Sequence, residues 1–350
     1  MKAGVAGILF ALAAACAMPS SADPQEQQAG QAPPATPVIQ QDLPPAAPAV
    51  PVAQPEAPRP AEPVAATPVR TNQLECSSVA TQGGAILCRT EPGARLSLDS
   101  KPVAIADAGG IAIIGLSRTQ QPIAMVRFND PPGSELSAER KRVHALVDVK
   151  PRTDSVSAFT MECNKIAAQT PEEKRHAEVS WVKKDKAFKV FSQPIAPFSL
   201  VKPAEGVYSS PFGATRTYVP KTKDCQGSTN VHNGQDIAIP TGTEIKAPMA
   251  GTVILADPDL YYEGGAVFLD LGHGIISITM HMSRVDVKAG DTVGQGQLLG
   301  LSGATGRVTG PHLHWALKYR NELKPDDREA DIWLDPVLML QLQQPTVSAP

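Results

Sequence analysis

Short runs of alternating or wholly apolar residues, separated by turn residues, extend through residues 74–150. Residues 95–98, 103–106 and 124–128 have the length and patterning of β-strands. Segments rich in glycine, proline and aspartate separate them, as expected of tight turns. Several short strands at this spacing predict a small β-sandwich-like module over residues 74–150.

The pattern changes at Thr170, which precedes Pro171, Glu172 and Glu173. A capping residue, a proline in the first turn and early acidic residues together indicate the start of a helix. A helix over residues 170–186 is predicted, within a connecting segment at 151–200.

Glycines separate short apolar segments in the second half of the chain, with 17 of them from Gly206 to Gly310. Residues 242–251 and 290–300 form a faint internal repeat, and each copy is followed by a short, mostly apolar run. A duplicated glycine-rich motif predicts a compact, strongly bent sheet of barrel-sandwich type over residues 201–340. The predicted fold class is therefore mainly β.

Composition separates the N-terminal residues from the rest of the chain. Of the 34 prolines, 13 lie between residues 23 and 70, and no aromatic residue occurs between Phe10 and Phe128. Such a segment cannot bury enough apolar surface to offset the entropy of ordering, so residues 23–73 are predicted to be a disordered linker.

Residues 1–22 have the pattern of a signal peptide, with Lys2 followed by an apolar run over residues 3–15. Two processing sites compete. The small residues 20–22 suit ordinary signal-peptidase cleavage, whereas residues 13–16 resemble a bacterial lipobox in which Cys16 would be acylated as a lipid anchor. Both alternatives predict export to the periplasm or cell envelope.

Charge and hydropathy exclude two classes of protein. Residues 71–350 carry 29 Lys and Arg against 30 Asp and Glu, without a basic block. Nucleic-acid binding requires clustered positive charge, so it is not expected. No apolar run reaches the ~18 residues of a membrane-spanning helix, which argues against a polytopic membrane protein.

Four cysteines besides Cys16 agree with export, because an even number in an exported chain indicates disulfides. Three pairings are possible. Cys76 and Cys88 flank a hairpin-like stretch, which favours that pair and leaves Cys163 with Cys225. None has C-x-x-C spacing, so a cysteine metal site is not expected.

Histidines are concentrated late in the chain: all seven follow residue 143, and five lie between His232 and His314. His232 and Asp236 form an H-x-G-x-D pattern that leads into an apolar strand. Asp236 would enter the strand while His232 reaches back from the loop, so both side chains could converge on one ion.

His312 and His314 would lie on one face of a strand, because alternate residues share a face. Their Cα atoms would be ~6.5 Å apart, which suits one metal ligand and one catalytic or supporting histidine. His281 is predicted at the end of another strand, on a polar face with Ser277 and Thr279 that would line a cleft. No role is assigned to the other histidines, which are His144, His176 and His273.

These motifs resemble those of lysostaphin/LytM-type zinc metallopeptidases, which cut peptide bonds in bacterial peptidoglycan. The resemblance is carried by residues 232–236 and 302–314, and by the glycine- and proline-containing segments between them. Residues 209–213 are similar to the strand that opens the family's catalytic domain. The resemblance covers residues 205–336. One departure is Thr279-Met280 before His281, where family members commonly carry a tyrosine and a small residue.

The resemblance implies that His232, Asp236 and His314 bind one Zn²⁺, with water in the fourth position. The metal would polarise the scissile carbonyl and lower the pKa of its water. His281 and His312 would serve as proton acceptor and as support for the tetrahedral oxyanion.

The predicted substrate is therefore the stem peptides of peptidoglycan. The anchor-like N-terminus favours a D,D-endopeptidase acting on stem-peptide cross-links, with glycine bridges as the alternative. Three other functions compete: a non-catalytic member of the fold that activates a cell-wall amidase, a sugar-transport phosphocarrier, and an extracellular adhesin. The complete set of ligands favours the enzyme over the amidase activator, and the export signal argues against the cytoplasmic phosphocarrier.

Overall fold

The computed structural model describes residues 72–129 and 138–342. The predicted signal peptide, the lipobox alternative at Cys16 and nearly all of the predicted linker lie outside these residues. Within the described part of the chain, no helix is both long and apolar enough to cross a membrane.

Strands dominate the described residues. In chain order they are β1 (Glu75–Cys76), β2 (Val79–Thr81), β3 (Ala85–Arg89), β4 (Arg95–Leu98), β5 (Lys101–Ile105), β6 (Ile111–Gly115), β7 (Ile123–Phe128), β8 (His144–Lys150), β9 (Val156–Met161), β10 (Val207–Ser210), β11 (Thr215–Pro220), β12 (Ser228–Val231), β13 (Gln235–Ala238), β14 (Glu244–Lys246), β15 (Gly251–Leu260), β16 (Gly264–Asp270), β17 (Ile275–Val285), β18 (Thr292–Val293), β19 (Leu298–Ser302), β20 (Leu313–Tyr319) and β21 (Ile332–Leu334). The helices are α1 (Cys163–Ile166), α2 (Pro171–Ala187) and α3 (Pro336–Met339), with short 3₁₀ turns at Arg140–Arg142 and Arg328–Ala330.

The N-terminal β module consists of two sheets, ordered β2-β8-β7-β4-β5 and β1-β3-β6. Leu96 and Val126 from the first sheet share a buried cluster with Ile86 and Ile114 from the second. The predicted sandwich-like architecture is confirmed. A disulfide joins Cys76 to Cys88, which are directly paired across β1 and β3, and a second joins Cys163 to Cys225. The favoured cysteine pairing is therefore present.

A large bent sheet forms the second half, in the order β10-β13-β20-β17-β16-β15-β18, with β14, β19 and β21 attached beside it. Its strands are antiparallel throughout. The mainly β fold predicted from the glycine pattern is confirmed.

The predicted helix over 170–186 is confirmed as α2. Thr170 Oγ1 accepts a hydrogen bond from the Glu173 N–H, while the Glu173 carboxylate accepts one from the Thr170 N–H. This reciprocal cap satisfies two N–H groups that a helix start otherwise leaves unpaired. Lys183 and Lys184 then pair with Asp257 and Glu263, which attaches the helix beside the β15–β16 hairpin.

Two features tie the N-terminal module to the large sheet. Leu87 and Ile113 belong to the same buried cluster as Leu317 and Tyr319 of β20. The Tyr319 hydroxyl also donates to the Val103 carbonyl at 2.6 Å. The module and the large sheet thus share a core.

Candidate active site

Three adjacent strands of the large sheet, β13, β20 and β17, bring predicted site residues together. In the β13–β20 pair Asp236 lies opposite His314, and in the β17–β20 pair Met280 lies opposite the same histidine. His281 follows Met280 directly. His232 lies in the turn between β12 and β13, four residues before Asp236, so its side chain reaches back over the strand.

His232, Asp236 and His314 direct three donor atoms at one point. His232 Nε2 lies 3.0 Å from Asp236 Oδ1 and 2.9 Å from His314 Nδ1. His314 Nδ1 is 2.9 Å from the same Asp236 oxygen. All three residues are largely buried, and within residues 72–129 and 138–342 no other group of three such side chains has a comparable arrangement.

Local contacts position two of these side chains. His232 Nδ1 is 2.8 Å from the Pro211 carbonyl oxygen. A carbonyl can only accept, so Nδ1 carries the proton and Nε2 presents its lone pair to the cluster. Gly234 packs directly against His314, because a Cβ there would lie 2.6 Å from His314 Nε2 and 2.6 Å from the Trp315 carbonyl oxygen. The glycine of the H-x-G-x-D pattern is therefore needed for close packing.

Arg216 of β11 holds the second oxygen of Asp236. Its Nη2 donates to Asp236 Oδ2 at 2.5 Å and to Ser210 Oγ at 2.7 Å. Burial raises the pKa of Asp236, but its close contacts with His232 and His314 outweigh the effect of burial and hold that pKa well below its usual range. Sequence analysis did not identify Arg216, because nothing in its spacing relates it to Asp236.

His281 and His312 form a pair beside His232, Asp236 and His314, with ring centroids 4.9 Å apart. His281 Nδ1 donates to the Thr305 carbonyl at 2.9 Å, and His312 Nδ1 donates to the Gly310 carbonyl at 2.9 Å. Each ring therefore keeps a free Nε2, and that of His312 lies 3.8 Å from Asp236 Oδ1. Burial, together with the neighbouring histidines, lowers the pKa of His281 well below its ordinary value.

The environment of His281 differs from the predicted strand end. Strand β17 continues to Val285, and His281 adopts a left-handed backbone with φ 65° in its middle. A non-glycine residue in this region is strained, and such strain is often found at functional sites. Ser277 and Thr279 are both buried at 1% exposure, so they do not line the cleft.

The remaining histidines lie outside this cluster. His273 lies in the predicted tight turn with φ 53°, and its Nε2 is 3.6 Å from Asp107 Oδ2. His176 contacts the Asp259 carbonyl oxygen, and His144 is exposed on β8.

A cleft of about 510 Å³ opens over the cluster and is lined by Asp236, His281 and His312. Part of its wall comes from β9, through Ser157, Phe159 and Met161, and from Ser155 just before that strand. Strand β9 belongs to the predicted connecting segment, yet it pairs in parallel with β11, and β11 also carries Arg216.

Comparison with known proteins agrees with this geometry. Residues 230–325 match the model of peptidase family M23. The chain is 43% identical over 89 residues to the peptidoglycan DD-endopeptidase ShyA of Vibrio cholerae, covering 25% of this chain and 20% of that protein. It is 38% identical over 86 residues to lysostaphin of Staphylococcus simulans, covering 24% of this chain and 17% of that protein. The chain thus spans about a fifth of the length of these relatives.

The likeness extends to a solved structure. A crystal structure from Pseudomonas aeruginosa, described as a peptidase M23, superposes with a TM-score of 0.51 at 29% identity, covering 74% of this chain and 94% of that one. The fold and the five converging residues define a peptidase-like β domain. Within this domain, residues 230–325 match peptidase family M23, in agreement with the lysostaphin/LytM-type motifs of the sequence.

Proposed function

We propose that this protein is an exported zinc metalloendopeptidase that cleaves the peptide cross-links of bacterial peptidoglycan. The observation that carries the proposal is the convergence of three metal-type donors with two histidines whose Nε2 atoms are free. Three ligands beside an open cleft suit a catalytic metal site, because a structural zinc site uses four protein ligands.

The donor set fits zinc. Two imidazole nitrogens and one carboxylate oxygen are common zinc ligands with bonds of about 2.0–2.2 Å, and donor separations near 3 Å are compatible with such bonds. Zinc bound by His232, Asp236 and His314 would polarise the scissile carbonyl and lower the pKa of a water molecule. Arg216 keeps Asp236 Oδ2 occupied, so that Oδ1 is the oxygen available to the metal.

His281 and His312 supply the proton transfers. Both rings are held by a backbone carbonyl at Nδ1, so Nε2 of either can accept a proton from the water that attacks the peptide carbonyl. The protonated Nε2 then donates a hydrogen bond to the developing oxyanion or a proton to the leaving amine. Among the described residues that line the cleft, none is a glutamate that could act as the base.

The relatives support a substrate, and the disulfides support a location. The ShyA relative of Vibrio cholerae is named a DD-endopeptidase of peptidoglycan, which supports a D,D cross-link of the stem peptides as substrate. Two disulfides are expected in an oxidising compartment outside the cytoplasm, which supports the periplasm or cell envelope. Cleavage after residue 22 and lipidation of Cys16 both remain compatible with this location.

The decisive experiment measures zinc and hydrolysis together in the full chain. The purified protein should contain close to one zinc ion and should cut cross-linked muropeptides, as seen by mass spectrometry. His314→Ala and Asp236→Ala should lose both properties, because each removes a ligand. His144→Ala, which changes an exposed histidine on β8, should retain both. A wild-type protein that binds zinc but cuts no cross-link would instead favour the amidase activator.

A further inference from the structure

The loop over residues 303–312 is fixed against two strands of the large sheet. Thr305 Oγ1 donates to the Met282 carbonyl of β17 at 2.8 Å and accepts from the Gly265 N–H of β16 at 2.9 Å. The Thr305 carbonyl accepts from His281 Nδ1. This loop is thus positioned by the same contacts that orient one of the two proposed catalytic histidines.

Arg307 projects from this loop into the cleft wall. Its backbone N–H donates to the Tyr262 carbonyl at 2.8 Å. Its guanidinium carbon lies 4.9 Å from the ring centroid of Tyr262 and 5.2 Å from that of Tyr218. A guanidinium held against aromatic faces still has N–H groups at its edge, and their planar fork matches a carboxylate.

Arg307 has no anionic partner within the described residues, since none of their ion pairs or side-chain hydrogen bonds involves its guanidinium. The other arginine of the cleft, Arg216, is neutralised by Asp236. Among the described side chains that line the cleft, Arg307 therefore carries the positive charge that is left for a ligand. Ser155, Ser157 and Thr309 add hydroxyl groups to the same lining.

We propose that Arg307 is a specificity-determining residue that binds a carboxylate of the substrate beside the scissile bond. This inference rests on the proposed function and extends it. It assigns the enzyme to cross-links whose flanking residues carry a free carboxylate, in preference to glycine bridges, which carry none. Charge-assisted, bidentate hydrogen bonds from arginine are among the strongest that a site can offer to such a group.

Two synthetic cross-linked peptide dimers test the proposal with the full-length, zinc-loaded protein. They share one sequence, and the carboxyl group next to the scissile bond is free in one and amidated in the other. The wild type should hydrolyse the free form with a kcat/KM about 10- to 100-fold higher. Arg307→Ala should lose that preference, because its rate on the free form falls while its rate on the amide hardly changes.

Two further variants separate recognition from structure. Arg307→Lys keeps the charge but not the fork, so it should recover part of the preference. Arg127→Ala removes the same charge from an exposed position on β7 and should behave as the wild type. Zinc content should equal that of the wild type in all three variants, because none of the changed residues is a ligand.

The outcomes distinguish the two proposals. If the wild type cuts neither dimer, the proposed function fails. If it cuts both dimers equally well, or if Arg307→Ala slows both to the same extent, the enzyme assignment stands and the carboxylate-binding role is wrong.

Discussion

At the residue scale, the hydrogen-bond partner of Nδ1 in each histidine determines which ring nitrogen faces the site. His232, His281 and His312 each direct Nδ1 to a backbone carbonyl, whereas His314 directs Nδ1 to Asp236. Each of those three carbonyls accepts a hydrogen bond from Nδ1–H, so the backbone leaves Nε2 of His232, His281 and His312 free. The partner of Nδ1 therefore shows which nitrogen of each ring faces the site.

The first prediction separates the two roles. His281→Ala and His312→Ala should each retain close to one zinc ion, because neither removes a donor of the trio. Hydrolysis of cross-links should fall about 10²- to 10⁴-fold, the range for a positioned acid–base group. Zinc is measured by elemental analysis and hydrolysis by product release. Loss of zinc in His312→Ala, with His314→Ala retaining it, would reverse the assigned roles.

At the element scale, the cleft depends on a strand that precedes the large sheet in the chain. Strand β9 pairs with β11, and the Cys163–Cys225 disulfide closes a loop of 62 residues that contains β10 and β11. Met161, Ile166 and Tyr218 form a small buried cluster beside it. The wall of the cleft formed by β9 is thus stabilised by one strand pair, one disulfide and a small apolar cluster.

The second prediction concerns this disulfide. Replacing Cys163 and Cys225 by serine should lower the free energy of unfolding by about 4 kcal/mol, because a long loop is no longer constrained in the unfolded chain. KM should also rise as β9 loosens. Urea unfolding and hydrolysis kinetics measure the two effects.

The Cys76–Cys88 pair provides the control for that experiment. Its loop spans 12 residues in the N-terminal module, away from the cleft. Replacing both cysteines by serine should cost about 3 kcal/mol and leave KM unchanged. An equal rise of KM in both double variants would contradict the role assigned to β9.

The third prediction concerns pH and the segment after β20. Burial, helped by the charge of Asp270, raises the pKa of Glu322 from 4.5 to about 7. The folded protein therefore holds a proton that the unfolded chain releases. Glu322 contributes stability that is fully present below about pH 4.5 and is lost as the pH rises through about 7.

Glu322→Gln should remove this contribution, so its free energy of unfolding should change less between about pH 4.5 and 7 than that of the wild type. Urea titrations at several pH values provide the measurement. Glu178→Gln, at an exposed position of α2, should keep the wild-type slope. The proposed cause is wrong if the Glu322 and Glu178 variants have the same slope.

At the scale of the whole molecule, the N-terminal module and the large sheet share one buried cluster that includes Ile113, Leu317 and Tyr319. Gly115 contributes to this contact, because a Cβ there would lie 2.8 Å from the Tyr319 ring. A core common to both parts implies that they unfold together.

The fourth prediction follows from that shared core. Calorimetry should show a single unfolding transition, and Ile113→Ala should shift it as a whole through a loss of about 2–5 kcal/mol. Ile123→Ala changes an isoleucine that is 65% exposed, so it should have little effect. Two separate transitions, with only one of them moved by Ile113→Ala, would show that the parts are independent.

Local patterns in the sequence were sufficient for several conclusions. The β-rich class, the start of α2 at Thr170 and the pairing of Cys76 with Cys88 each depend on residues close together in the chain. The H-x-G-x-D and H-x-H spacings likewise identified four histidine and aspartate side chains that the fold brings together. Strand alternation and turn geometry act over a few residues, so the sequence alone carries this information.

Other features arise only from long-range pairing. Arg216 contacts Asp236 because β11 lies beside the site. Strand β9 lines the cleft because it pairs in parallel with β11, which lies nearly 60 residues later in the chain. The predicted strand end at His281 was wrong because a left-handed residue continues β17 instead of ending it. Register and close approach between distant segments depend on the packing of the whole core, and no local periodicity encodes them.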